Sequence, residues 1–278
     1  MNDPSLKNSY QNDGFFFPVD VISPQEATTI AQDFELAENS VRDDLEKSAL
    51  LKSYPDRVLP SFDKLIRHPQ LISAVSQVLG PNLLVWSAGL FIKEANTDKV
   101  VSWHQDLTYW GLDDAQELTA WVALSYSTSD SGCMRFIPGS HQKNLVPHSD
   151  TFDENNLLTR GQTIAVDVDE NESVSVELKP GQASLHHGHL FHASGPNTTS
   201  YRRIGAAIRY ITPEMKQQSG ARSLVALASG EDRFNHFSIA PSPLQRLASE
   251  DFNRCKADAL LKREILYAGA EEKKGTRY

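Results

Sequence analysis

The spacing of apolar positions along this chain changes near residue 83. Before it the spacing is helical: Ala27, Ile30, Ala31 and Phe34 fall on one helical face, and Ser23-Pro24-Gln25-Glu26 ahead of them reads as a capping box with proline at the first helical position. A second helix is predicted from about Gln70 to Leu79, with Gly80-Pro81 as its stop. Residues 1–82 are therefore expected to be mostly helical.

From Leu83 the pattern becomes short apolar or alternating runs bounded by turn residues: LLVWSAGLFIKEA, VVSWHQDLTYW, LTAWVALSYS, GCMRFIPGS, SVSVELKPG, ASLHHGHLFHAS and RRIGAAIRYIT. Such runs with Pro-Gly and Gly-Pro punctuation predict a mainly β core, a sandwich or barrel, over residues 83–213. Residues 214–278 are expected to form a helical extension, its last helix from Leu247 to Leu266 packing through Leu247, Phe252, Leu260, Leu261 and Ile265. The long polar stretch from His141 to Glu172 is expected to be a lid over an active site.

Composition narrows the possible partners. At 278 residues and 40% hydrophobic content the chain can bury the core of one large domain, expected over 1–278. A net charge of −9 without a long Lys/Arg run gives no electrostatic footprint for nucleic acid or an anionic membrane, so a small-molecule substrate is expected. MNDPSLKNSYQNDG lacks a basic stretch followed by an apolar one, and no window reaches the roughly 18 apolar residues of a spanning helix, which predicts a cytoplasmic protein. Cys133 and Cys255 are far apart and lack CxxC spacing, so a bound metal would have to rely on histidine and carboxylate. The sequence leaves the oligomeric state open.

Two segments concentrate the chemistry. In VSWHQDLTYW, His104 and Asp106 are two apart, and strand period would put them on one face, with Trp103 and Gln105 on the other. Such a pair is common by chance. HHGHLFHASGPN holds four histidines, any of which could supply a third ligand. Two histidines and one carboxylate leave three positions open on a metal, which suits Fe(II) oxygenases, although an open His/Asp/His site can also serve zinc hydrolysis.

The next run separates these readings. In RRIGAAIRY, Arg203, Gly205, Ala207 and Arg209 alternate with Arg202, Ile204, Ala206, Ile208 and Tyr210. If the Ile/Ile/Tyr face packs on helices, Arg203 and Arg209 point inward with only small residues between them, and a guanidinium beside vacant volume suits capture of a carboxylate. The alternatives are an exposed strand edge or an internal ion pair; Arg209 in particular could meet either an acidic substrate or an acidic residue in the barrel mouth.

With these residues in hand, the sequence resembles the phytanoyl-CoA dioxygenase (PhyH) family of Fe(II) and 2-oxoglutarate dependent oxygenases. The similar stretches are WHQDLTYWGL, WVALSYSTSDSGCMRFIPGSH, KPGQASLHHGHLFHASGPN and YRRIGAAIRYITP, in that order, over most of Val101 to Pro213. The resemblance implies a double-stranded β-helix (jelly roll, cupin-like) with flanking α-helices. It implies iron on His104, Asp106 and His192, and Arg203 as partner of the distal carboxylate of 2-oxoglutarate. Trp121 and Ser194 match positions lining the cosubstrate pocket. Tyr109 and Trp110 are candidates for the substrate wall, and Lys93 and Arg209 are further pocket candidates. His186, His187 and His189 are left without a ligand role, and a structural part is expected for His186.

The implied reaction uses O2 to convert 2-oxoglutarate to succinate and carbon dioxide while hydroxylating an unactivated C–H bond. The expected substrate is a small polar metabolite, acidic or zwitterionic: an amino acid, carboxylate or phosphonate. Some similar relatives are halogenases, which replace the metal carboxylate with a small residue; Asp106 is present here, so hydroxylation is the expected outcome. The competing readings are a halogenase-like enzyme, a zinc hydrolase and a non-catalytic binder.

Overall fold

The computed structural model describes residues 4–143, 145–151, 155–158 and 162–266. Helix α1 (Pro4–Asp13) leads into strand β1 (Phe15–Asp20). Five helices follow: α2 (Pro24–Val41), α3 (Leu45–Ser53), α4 (Pro55–Val58), α5 (Pro60–Ile66) and α6 (Pro69–Leu79). The β region runs through β2 (Leu83–Lys93), β3 (Val101–His104), β4 (Glu117–Ala123), β5 (Met134–Phe136), β6 (His148–Asp150), β7 (Gln162–Ile164) and β8 (Val174–Val176). It continues with β9 (Gln182–His186), β10 (His192–Ser194), β11 (Arg203–Ile211), β12 (Leu224–Ser229) and β13 (Ser238–Ile239), before helix α7 (Ser249–Leu266).

A large sheet in the order β1-β9-β4-β11-β2-β12-β13 and a smaller one in the order β3-β10-β5-β8 form the double-stranded β-helix. All pairings within them are antiparallel except β12 with β13. Alternation in β11 decides what lies on each side of the large sheet. Ile204, Ala206, Ile208 and Tyr210 join one apolar cluster with helix residues such as Phe34, Phe62 and Leu71. The opposite face looks between the sheets, where Trp121 and Ala207 pack with Met134 and Phe136 of the small sheet. Arg202, on the helix side, ends outside in ion pairs with Glu38 and Glu94.

The capping box at Ser23 and Glu26 forms as predicted, and α6 occupies the predicted span. Among its helices the N-terminal part carries one strand, Phe15–Asp20, an edge strand of the large sheet, which the proline and the unbroken phenylalanine run concealed. Two expectations need correction. The C-terminal part adds β12 and β13 to the opposite edge; the short apolar run Leu224-Val225-Ala226-Leu227 has no period that separates strand from helix. In α7 the buried face is Asp251, Phe252, Cys255 and Asp258, while Leu260 is exposed.

The expected lid over 141–172 lies partly outside the described residues. Its described part pairs β6 with β7, and Asn155 and Leu157 bond to the backbone of Val100 beside β3. Among the described residues no helix is long and apolar enough to cross a membrane.

Ile208 is fully buried at the contact between sheet and helices. Ile208→Ala should destabilise the protein by about 2–5 kcal/mol in urea unfolding, through lost burial and a residual cavity.

Candidate metal and cosubstrate site

His104 and His192 face each other as a register pair of the antiparallel strands β3 and β10, with ring centroids 4.0 Å apart. Each Nδ1 lies 2.9 Å from a backbone carbonyl two residues earlier, that of Ser102 or Leu190. A carbonyl only accepts, so both Nδ1 atoms carry the proton and both Nε2 lone pairs are free for a metal. Asp106 Oδ1 lies 3.3 Å from His104 Nε2 and 3.9 Å from His192 Nε2. One ligand atom from each of the three side chains falls within 4.8 Å of the others, a donor set that could hold a single ion.

Strand period is not what brings Asp106 here. β3 ends at His104, and Asp106 has helical dihedrals (φ −67°, ψ −48°) at the head of a 3-10 turn over Leu107–Tyr109. Gln105 secures that bend. Its amide donates to His148 Nε2 at 3.1 Å, its side chain donates to His189 O at 2.8 Å, and its Oε1 accepts from Val146 N at 2.9 Å. Trp103 points away and donates to Glu170.

Burial holds His192 well below the usual histidine range and therefore neutral, as a ligand must be. Burial pushes the Asp106 carboxyl up, but the contacts around it, the positive charge of Arg209 among them, outweigh that and hold the group below the usual carboxylate range, ionised.

The three side chains line a cavity whose far end is Arg203. Arg203 is 1% exposed. It donates to Gly132 O at 2.6 Å, rests 5.2 Å from the Trp121 ring, and leaves Nε without a hydrogen-bond partner. Burial pulls it down to about 10, still charged at neutral pH, and no carboxylate among the described residues neutralises it. The space over Gly205 is not vacant as the sequence suggested: the Trp121 indole occupies it, and a Cβ there would overlap the ring. Ser194, also on the cavity wall, donates to Gly132 O at 2.8 Å.

Arg209 sits at the other end from Arg203. It lines both the inner cavity and a surface groove along β2. Lys93 is the register partner of Arg203 and lies at the inner end, but it lines neither the cavity nor the groove. Its amine donates to Ser194 O at 3.1 Å and to Gly195 O, while burial, followed by the charge of Arg203, lowers it to about 7. Trp110 does not line the inner cavity; it stacks on Trp86 and presents its ring to Arg209 at 5.3 Å. The side chain of Tyr109 lies outside the described residues.

The cavity also contains Thr119, which sequence reasoning passed over, and His186, to which it gave no ligand role. Thr119 lies opposite Arg209, and His186 opposite Thr119, so both share the inward parity of Trp121. Extending that parity one step further reaches Glu117, which burial raises well above the carboxylate range and so keeps protonated. His186, expected to be a satisfied structural histidine, lines the cavity with Nδ1 unpartnered. Thr119 Oγ1, Ser184 Oγ and Glu117 Oε2 are likewise buried without partners. Buried polar groups are ordinarily bonded, so this collection fits an interior built around a polar ligand.

The phytanoyl-CoA dioxygenase (PhyH) family model matches residues 10–205. The chain belongs to the phytanoyl-CoA dioxygenase family. A Caenorhabditis elegans protein named "Probable phytanoyl-CoA dioxygenase" is 24% identical over 237 residues, 80% of this chain and 75% of that one. Human peroxisomal phytanoyl-CoA dioxygenase is 29% identical over 136 residues, 47% of this chain and 40% of that one. The apo structure of ThoJ, a non-heme monooxygenase, aligns with a TM-score of 0.85 at 33% identity over 95% of this chain and 98% of that one. CytC3 with Fe(II) and alpha-ketoglutarate shares the fold, with a TM-score of 0.66 at 20% identity over 90% of this chain and 99% of that one. The family is Fe(II)- and 2-oxoglutarate-dependent, with O2 as the other cosubstrate, and the chain is an enzyme of this dioxygenase class.

Two outcomes follow for this family member. Arg203 is charged and buried, with no acidic partner among the described residues, so Arg203→Met should leave thermal stability unchanged or raised, which a melting curve tests. His186 is lowered to about 4 and His187 to about 3, in each case chiefly by burial. Both stay neutral in the folded chain while the unfolded chain takes up protons below about pH 6.5, so stability should fall as pH drops from there towards 4. His187→Gln should make that decline shallower in urea unfolding compared at pH 7 and pH 5.

Proposed function

We propose that this enzyme hydroxylates an unactivated C–H bond of a small polar metabolite, with His104, Asp106 and His192 holding Fe(II) and Arg203 receiving the distal carboxylate of 2-oxoglutarate. One observation carries the reading: a fully buried arginine, without a counter-charge among the described residues, closes the far end of the cavity that the His/Asp/His set opens. A zinc hydrolase needs only a metal-bound water and does not require such a group. A dicarboxylate that chelates metal at one end needs it at the other.

Each side chain then has a task. The two imidazoles present lone pairs fixed by their Nδ1 bonds, and Asp106 supplies one negative charge. Trp121 supports the Arg203 guanidinium from one face, and Ser194, bonded to Gly132, shapes the wall beside it. Bound iron supplies oxidation by O2, coupled to conversion of 2-oxoglutarate to succinate and carbon dioxide. The carboxylate at Asp106 supports hydroxylation over halogenation, because no ligand position is vacated for a halide.

Arg209 supports an acidic or zwitterionic substrate such as an amino acid, carboxylate or phosphonate. Its Nη1 reaches towards Ser87, 3.5 Å away, and both residues line the groove leading in from solvent. An anionic substrate group arriving by that groove meets this guanidinium before the metal ligands.

Apo protein mixed anaerobically with Fe(II) and 2-oxoglutarate should develop a visible charge-transfer band, and a wild-type protein that shows none would refute the oxygenase reading. Arg203→Ala should weaken 2-oxoglutarate binding about 30-fold or more, the equivalent of about 2 kcal/mol for a truncated buried charge pair. Asp106→Ala should weaken Fe(II) binding instead. Screening small acids and amino acids for stimulated succinate release then identifies the substrate.

A further inference from the structure

The two oxygens of Asp106 face different partners. Oδ1 is turned to both histidine Nε2 atoms, whereas Oδ2 is 3.7 Å from Arg209 Nε. That Nε has no hydrogen-bond partner, and among the described residues Asp106 is the only carboxylate within ion-pair distance of Arg209.

The guanidinium is not free to turn away. It lies between the Phe91 ring at 5.8 Å and the Trp110 ring at 5.3 Å. Trp110 is stacked on Trp86 with centroids 5.0 Å apart. The Gln217 amide, oriented to satisfy its neighbours, accepts from Trp86 Nε1 at 2.9 Å and donates to Trp110 O at 3.1 Å, so it ties the two indoles together. From α7, Lys262 donates to Trp86 O at 2.8 Å and lies over the Trp86 ring at 4.7 Å, itself held by Asp258 at 2.9 Å. A wall running from the C-terminal helix to the cavity thus fixes the plane of Arg209.

We propose that Arg209 is a positioning residue for Asp106: its Nε edge holds Oδ2, so that the carboxylate offers a metal one oxygen and not two. This rests on the reading of His104, Asp106 and His192 as metal ligands. The count of positions gives the arrangement its purpose. Three single-atom protein ligands leave three places on a six-coordinate ion, enough for a chelating 2-oxoacid and one further molecule. A carboxylate binding through both oxygens would leave only two, and the chelate would fill them.

Charge and position predict opposite signs. Removing a neighbouring cation, taken alone, strengthens binding of a divalent ion. Loss of the partner that orients a ligand weakens it, by about 10–100-fold. Anaerobic titration of the full chain with Fe(II) in the presence of 2-oxoglutarate, and separately with Co(II) followed by its visible spectrum, reads the difference. Arg209→Met is expected to lower affinity about tenfold or more and to alter the Co(II) spectrum. In an Asp106→Asn background the same change should add less than about twofold, because the orienting effect has lost its target. Trp110→Leu, which removes one supporting face, should shift affinity in the same direction by less, with circular dichroism confirming that each variant is folded.

Unchanged or increased Fe(II) affinity in folded Arg209→Met, or a loss of the same size whether or not Asp106→Asn is also present, would overturn the proposal. Failure of the wild-type chain to bind Fe(II) at all would instead overturn the metal-site reading on which it rests.

Discussion

An arginine inside a β-sandwich, with no carboxylate beside it among the described residues, is the constraint around which this structure is arranged. Arg203 faces inward because β11 has period 2 and its other face carries Ile204, Ala206, Ile208 and Tyr210 into the helices. A one-residue slip would put those apolar side chains between the sheets and the two arginines against Phe34 and Phe62, so the helical layer fixes the register of the functional face. The β11 pairings with β2 and β4 then set Lys93, Phe91, Trp121 and Thr119 on the same side. Anchor, wall and metal-facing residues therefore inherit their placement from one strand.

How much of this was legible follows from the range of each interaction. The alternation in β11 is carried by nine consecutive residues, and those alone give the inward direction of Arg203 and Arg209. The resemblance singled out His104, Asp106 and His192, which the structure brings together, but their geometry was not readable. His104 and Asp106 meet through a turn, held by Gln105 contacts to residues 41, 43 and 84 positions away, and strand period contains no trace of them. Glu117 and Thr119 were within reach, since they share parity with Trp121, but polar residues in a buried strand look like surface positions until a ligand cavity explains them. β1 and β12 were hidden because short apolar runs carry no distinctive period.

The aromatic wall behind Arg209 was the least legible part. Its closing contact joins Lys262 to the carbonyl of Trp86 across 176 residues, and a lysine in an otherwise polar helix gives no sign of such burial. Yet it gives the C-terminal helix a reason to exist near the site. β12 and β13 widen the large sheet, and α7 covers the region where Trp86 leaves it. The correction at Leu260 belongs to the same geometry: the face turned inward carries Phe252 and Cys255 into the apolar cluster and, one turn on, Asp258 and Lys262 into a salt bridge and a carbonyl contact.

The same polar interior links stability to ligand binding. Arg203 Nε, Thr119 Oγ1 and His186 Nδ1 are all buried without hydrogen-bond partners, and each such group carries a desolvation cost that no neighbouring side chain returns. The β-helix tolerates them because its stability comes from the opposite face, where the large sheet meets the helices through a continuous apolar cluster. Any ligand that bonds to those groups binds the folded chain and not the unfolded one, and raises stability with the logarithm of its concentration. Part of that cost lies on the inner face between the sheets, and Asp56 Oδ1, Arg57 Nε and His68 Nδ1 carry a smaller share of it on the helical side.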